Sequence, residues 1–135
     1  MSQNKVVAHY QDGRILKGIT VNFQPTKPTF HLTHPEATPM PEPVKVQVDE
    51  LKAIFFVKDL AGRSQPAPRR QEFDPGKIVL GRKIRVVFND GEILVGTTQG
   101  YDGKQLGFFV FPADTTTNDE RIFVVKGATR QVSFI

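Results

Sequence analysis

KVVAHYQDGRILKGITVNF (Lys5–Phe23) and KIRVVFNDGEILVGTTQGY (Lys83–Tyr101) decide the fold, because they are one phrase written twice, at an offset of 78. VVAHY and IRVVF are β-branched and aromatic, and they run into Asp12-Gly13 and Asp90-Gly91. Such runs favour strands, and Asp-Gly favours a tight hairpin turn in which Gly supplies a positive φ. ILKGITVNF and ILVGTTQGY are then the return strands. Gly18 and Gly96 inside them mark a bend or bulge, where a strand curls to close a barrel.

The likeness continues beyond the hairpins. At an offset of 77, FHLTHPEATPMPEPVKVQV lies over GFFVFPADTTTNDERIFVV, with Pro35 on Pro112. Leu51–Val57 then matches Thr129–Ile135 in pattern. Each copy supplies five strand-like segments in about 53 residues, and no stretch has helical periodicity. Residues 1–60 are copy one, 61–82 a Pro/Gly-rich linker and 83–135 copy two. Phe55-Phe56 and Phe108-Phe109 are adjacent within strands, so one ring of each pair faces its own core and the other points outward. The outward ring needs a cover, and the sister copy or a second chain can supply it.

Composition narrows the function. The chain of 135 residues has no Cys, which excludes disulfides and thiolate metal sites. No apolar run reaches the roughly 18 residues of a membrane span, which predicts a cytoplasmic protein with no membrane partner. The net charge is +4, with seven basic and six acidic residues in 1–60, five and two in 61–82, and six of each in 83–135. The excess therefore sits in the linker with Arg63, Arg69 and Arg70. A nucleic-acid binder usually spreads it over a face.

The sequence offers little for catalysis. Of the three histidines, His31 and His34 are three apart on a strand and point to opposite faces, and His34 facing His9 finds no third metal ligand, so no metal is expected. GKIVLGRK (Gly76–Lys83) has two glycines at phosphate-loop spacing. It lacks the Ser or Thr after Lys and leads into a strand, so no nucleotide cofactor is expected. Asp12 and Asp90 are turn residues. No nucleophile, base and orienting group stand together, and the chain is read as a non-enzyme.

Strand, Asp-Gly, an apolar pair, Gly and a strand ending in an aromatic resembles the first motif of the Sm and Sm-like proteins. IFVVKGATRQVSFI, with Lys126-Gly127, is similar to their second motif, and copy one has Asp49-Glu50 there. ELKAIFFVKDLAG (Glu50–Gly62) also resembles a signature of uncharacterised bacterial small-barrel domains. The resemblance implies an all-β fold of two tandem five-stranded Sm-like, SH3-like small barrels. It implies a non-enzymatic binding or scaffolding module acting on a protein partner in a bacterial regulatory setting, with homo-oligomers as a further expectation. The alternative it implies is single-stranded RNA or DNA binding through Tyr101, Lys104, Lys126 and Arg130, with Arg69 and Arg70 of the linker. RNA-binding members use an Asn in the loop after the second strand, and QPTKPT and DGKQLG both lack it. Cyclic-dinucleotide sensing by the linker arginines is a third reading, without its usual polar companion motif.

Overall fold

The alternating segments do form strands. A computed structural model describes residues 3–33, 42–60, 73, 81–101, 105–114 and 118–135. It is all-β, with ten strands among these residues: β1 (Asn4–Tyr10), β2 (Ile15–Thr20), β3 (Thr29–Leu32), β4 (Val44–Gln47), β5 (Leu51–Val57), β6 (Arg82–Phe88), β7 (Ile93–Thr98), β8 (Gly107–Pro112), β9 (Asp119–Val125) and β10 (Thr129–Phe134). Single 3₁₀ turns, Val48–Glu50 and Lys126–Ala128, lead into β5 and β10. The linker expected at 61–82 lies outside the described residues except for Phe73, Gly81 and Arg82, and Arg82 already belongs to β6.

The turn chemistry is as expected. Gly13 and Gly91 take φ of 96° and 93°, and the side chains of Asp12 and Asp90 accept the N–H two residues on. Gly96 is required by a close approach of backbones. A Cβ there would overlap the Phe111 carbonyl of β8 and stand 2.7 Å from Val110 Cγ1.

Both halves have the same strand order. In the second, β10, β6, β7, β8 and β9 are consecutive neighbours. In the first the order is β5, β1, β2, then β3 and β4, with β2 and β3 joined only by the bridge Ile19↔Thr33. The pairs Phe30↔Val46 and Phe108↔Val124, and Ile19↔Thr33 and Thr97↔Phe111, are all related by the hairpins' own offset of 78. This corrects the offset of 77 expected for the third and fourth strands. Matching Pro35 to Pro112 had misaligned them: Pro112 is the last residue of β8, and Pro35 lies outside the described residues, so one shared proline carries little register information. Even the bulges repeat: Lys52 and Arg130 are the extra residues where β5 meets β1 and β10 meets β6.

The ladders do not close either half on itself. Instead β5, the fifth strand of the first half, pairs antiparallel with β9, the fourth of the second. One eight-stranded sheet results, β10-β6-β7-β8-β9-β5-β1-β2, beside the pair β3-β4. Because strand side chains alternate in direction, the two joined strands feed two cores. Leu51, Ile54 and Phe56 enter the first core, and Ala53, Phe55 and Val57 enter the second. From β9, Ile122 and Val124 stay in the second core while Phe123 and Val125 enter the first. Phe108 lies in the second core and Phe109 packs against the first, so both outward rings are covered by the other half.

A charged clasp closes the joint. Lys52 Nζ, on the β5 bulge, reaches Asp90 Oδ2 at 2.7 Å and Glu92 Oε1 at 2.5 Å, and lies over the Phe88 ring. Its side chain keeps 14% exposure against 55% for Asp90. Burial pulls the Lys52 ammonium downward, but the two carboxylates outweigh it and its pKa is raised. The hydrogen bond from Lys52, followed by the Glu92 N–H, holds Asp90 below the usual carboxylate range. A depressed carboxylate adds stability above its ordinary pKa and loses it as pH falls through the folded value. Asp90→Asn therefore costs less than about 1 kcal/mol at neutral pH, since half the site is wet. The deficit shrinks as pH falls through the depressed folded value, where Asp90 becomes neutral like Asn, and urea titrations of both proteins at neutral and at acid pH measure it.

The joint also predicts unequal copies. Phe123→Ala removes a ring buried to 1% exposure and costs about 3–5 kcal/mol. Lys45, its counterpart on the outer edge of the first half, is exposed, and Lys45→Ala stays within about 0.5 kcal/mol. Thermal or urea unfolding of the two variants checks the contrast.

Candidate binding face at the free end of the second half

At the joint, the aromatic residue that follows the second strand is half-buried against the first core. Phe23 packs against Phe30 and Phe56 of its own half and Phe109 and Phe123 of the other, with centroids 5.1–6.2 Å apart. Its counterpart in the repeat is Tyr101, just past β7. Tyr101 packs edge-on against Phe108 at 4.9 Å and Phe134 at 5.8 Å, and stays 43% exposed. Phe134, the counterpart of Phe56, is 40% exposed. One aromatic framework is therefore packed against the core at the joint and more exposed at the free end.

Two cations lie on this framework. Lys126 Nζ is 4.9 Å from the Tyr101 centroid, held there by the 3₁₀ turn whose Lys126 N–H donates to the Leu106 carbonyl. Arg82, the first residue of β6, places its guanidinium carbon 3.8 Å from the Phe134 centroid. β6, the 3₁₀ turn and β10 together carry Arg82, Lys83, Arg85, Lys126 and Arg130, and no acidic residue. The second half is neutral overall by sequence, and two of its six acids, Asp90 and Glu92, sit at the joint, whereas these three elements carry only cations.

Of the residues expected to form a site, Tyr101 and Lys126 are brought together. Arg130 is not with them: it sits four residues before Phe134 on β10, and its Nη2 donates to the Asn89 carbonyl at the β6–β7 turn. Lys104, Arg69 and Arg70 lie outside the described residues. Phe134 and Arg82 were missed by sequence reasoning. The signal that finds Phe134 is the repeat itself, which aligns it with the buried Phe56.

Other clusters are accounted for locally. Arg14 caps the Tyr10 ring at 4.3 Å and bonds Asp12 at 2.8 Å. The Arg14 N–H and guanidinium lower Asp12, and the Asp12 carboxylate raises Arg14. Burial raises the Tyr10 hydroxyl. His9 lies against the Phe55 ring, and His31 Nδ1 is 3.0 Å from Asn22 Nδ2, whose Oδ1 accepts the His31 N–H. His34 lies outside the described residues, and among those described no three His, Asp or Glu groups converge. An open groove runs where β2 and β3 part, lined by Ile19, Val21, Asn22, His31 and Pro43. No described helix is long and apolar enough to cross a membrane.

An aromatic pair under two cations, beside a strand edge with no partner among the described residues, is equipped to hold a ligand by contact and charge. No curated protein and no solved structure matches the chain. Residues 2–135 match a profile described as a family of unknown function, DUF6982, and the chain belongs to that family.

Proposed function

We propose that the protein is a non-enzymatic binding module. In this reading its halves, residues 1–60 and 83–135, are Sm-like small barrels of the SH3-like kind, fused edge to edge and linked by the basic segment 61–82. The module binds a protein partner in the cytoplasm of a bacterial cell, within a regulatory pathway. The observation that carries this is the uncovered aromatic face of Tyr101 and Phe134 with Lys126 and Arg82. Aromatic side chains and Arg are the groups that dominate protein interfaces. The repeat adds weight: the same framework is packed against a neighbouring half at the joint, so it is built to be covered.

A second reading, single-stranded nucleic-acid binding, draws support from the contact between Tyr101 and Lys126, the aromatic and basic-Gly positions of the Sm-like motifs. Stacking on aromatics with a cationic groove is how such proteins hold bases. Ring faces already lying under cations favour the protein partner over it.

Immobilised protein is expected to retain a defined partner from a lysate of its source cell after nuclease treatment. Tyr101→Ala with Phe134→Ala should release that partner. In parallel, fluorescence anisotropy with oligo-U at two salt concentrations should stay at the level of a neutral control protein. Tight oligo-U binding that weakens steeply with salt, as counterion release requires, replaces the first reading with the second.

A further inference from the structure

The joint displays what a fifth-strand edge of this chain accepts. On the outer edge of β5, β9 runs antiparallel with Phe123 opposite Ile54 and Arg121 opposite Phe56. Arg121 then lies over the Phe56 ring, 4.5 Å from its centroid. The corresponding positions on β10 are Val132 and Phe134. β10 pairs only with β6 among the described residues. The Ile135 N–H donates to the Lys83 carbonyl, so alternation turns the backbone groups of Val132 and Phe134 toward the open edge.

We propose that the β10 edge takes up an extended segment of a partner protein as an added antiparallel strand, with an aromatic or large aliphatic residue opposite Val132 and an acidic residue opposite Phe134. The inference rests on the reading of the chain as a protein-binding module. Strand addition gives affinity through main-chain hydrogen bonds and specificity through alternate side chains. The apolar residue occupies the place that Phe123 holds at the joint, beside Tyr101 and Phe134. The acidic residue takes the place of Arg121, because at this edge Arg82 already lies over the ring. The five cations of β6, the 3₁₀ turn and β10 favour acidic flanks as well.

A second copy of the chain does not fit this edge. Its free fourth strand, β4, offers Lys45 and Gln47 where β9 offers Phe123 and Val125, and β3 offers His31 where β8 offers Phe109. Its turn offers Arg14 where the clasp uses Glu92, facing Arg130 instead of Lys52. Arg14 then meets Arg130, with only Asp12 in the place of Asp90, and apolar positions meet polar ones. Lysine on an edge strand is also a common protection against further pairing.

The test uses the full chain and two labelled peptides: DERIFVV, which copies Asp119–Val125, and DEEIFVV, with Glu at the position of Arg121. DEEIFVV is expected to bind saturably and at least about tenfold more tightly than DERIFVV, as a like-charge contact at this site requires. Arg82→Glu should reverse that order, and DEEIAVV should lose binding. Saturation should also slow hydrogen exchange at Val132 and Phe134. If neither peptide binds while wild-type protein still captures its nuclease-resistant partner, strand addition fails and the binding-module reading stands. If capture fails too, both fall. Displacement of DEEIFVV by oligo-U at matched salt overturns the inference in favour of nucleic acid. A mass that rises with protein concentration overturns it in favour of a second copy.

Discussion

The antiparallel ladder between β5 and β9 is the constraint on which the structure depends. It merges two repeats into one sheet, and it does more than join edges. Side chains of β5 alternate between two cores, and those of β9 do the same in the opposite sense. A half of about 53 residues buries little apolar surface of its own. Each half here borrows aromatic and aliphatic groups from the other, so neither core is complete alone. The Lys52 clasp secures the register by tying the β5 bulge to the turn of the second half.

This joint explains why the two copies differ where they do. Glu92 stands where the first copy has Arg14, because Lys52 needs a carboxylate there. Phe109, Phe123 and Val125 stand where the first copy has His31, Lys45 and Gln47, because only one fourth strand is buried. On the fifth strands the asymmetry runs the other way: Ala53 and Phe55 are core, and Gln131 and Ser133 are at the free edge. The repeat preserves the framework, and the divergence distinguishes an internal edge from an external one. The Tyr101 and Phe134 pair remains exposed at the external end.

Much of the fold was legible in the residues. Period-2 alternation, the Asp-Gly turns and Gly18 and Gly96 identify ten strands and two hairpins because these signals are local. The Phe-Phe pairs also announced a covered outer face. Which strand covers which was not legible, because β5 and β9 lie far apart along the chain and no local pattern encodes the register of their pairing. The offset of 77 failed for a related reason: one shared proline outweighed the strand pattern that fixes register. For the candidate face, Tyr101 and Lys126 were visible as motif positions. Arg82 was hidden in what looked like a linker, and Phe134 in what looked like an ordinary last strand. Arg130 resembled a ligand-facing cation in sequence, yet the bulge turns it toward the β6–β7 turn.

The central claim is that β5 and β9 make the two halves one cooperative unit while β10 keeps an open edge. Native-state hydrogen exchange tests it most directly, because buried and free ladders open with different free energies. The account predicts that the bonded amides of β5 and β9 exchange only through global unfolding, with the same opening free energy as β1 and β8. The amides of Val132 and Phe134 should exchange orders of magnitude faster. Separate opening of the two halves, with β5 and β9 exchanging before either core, would contradict it.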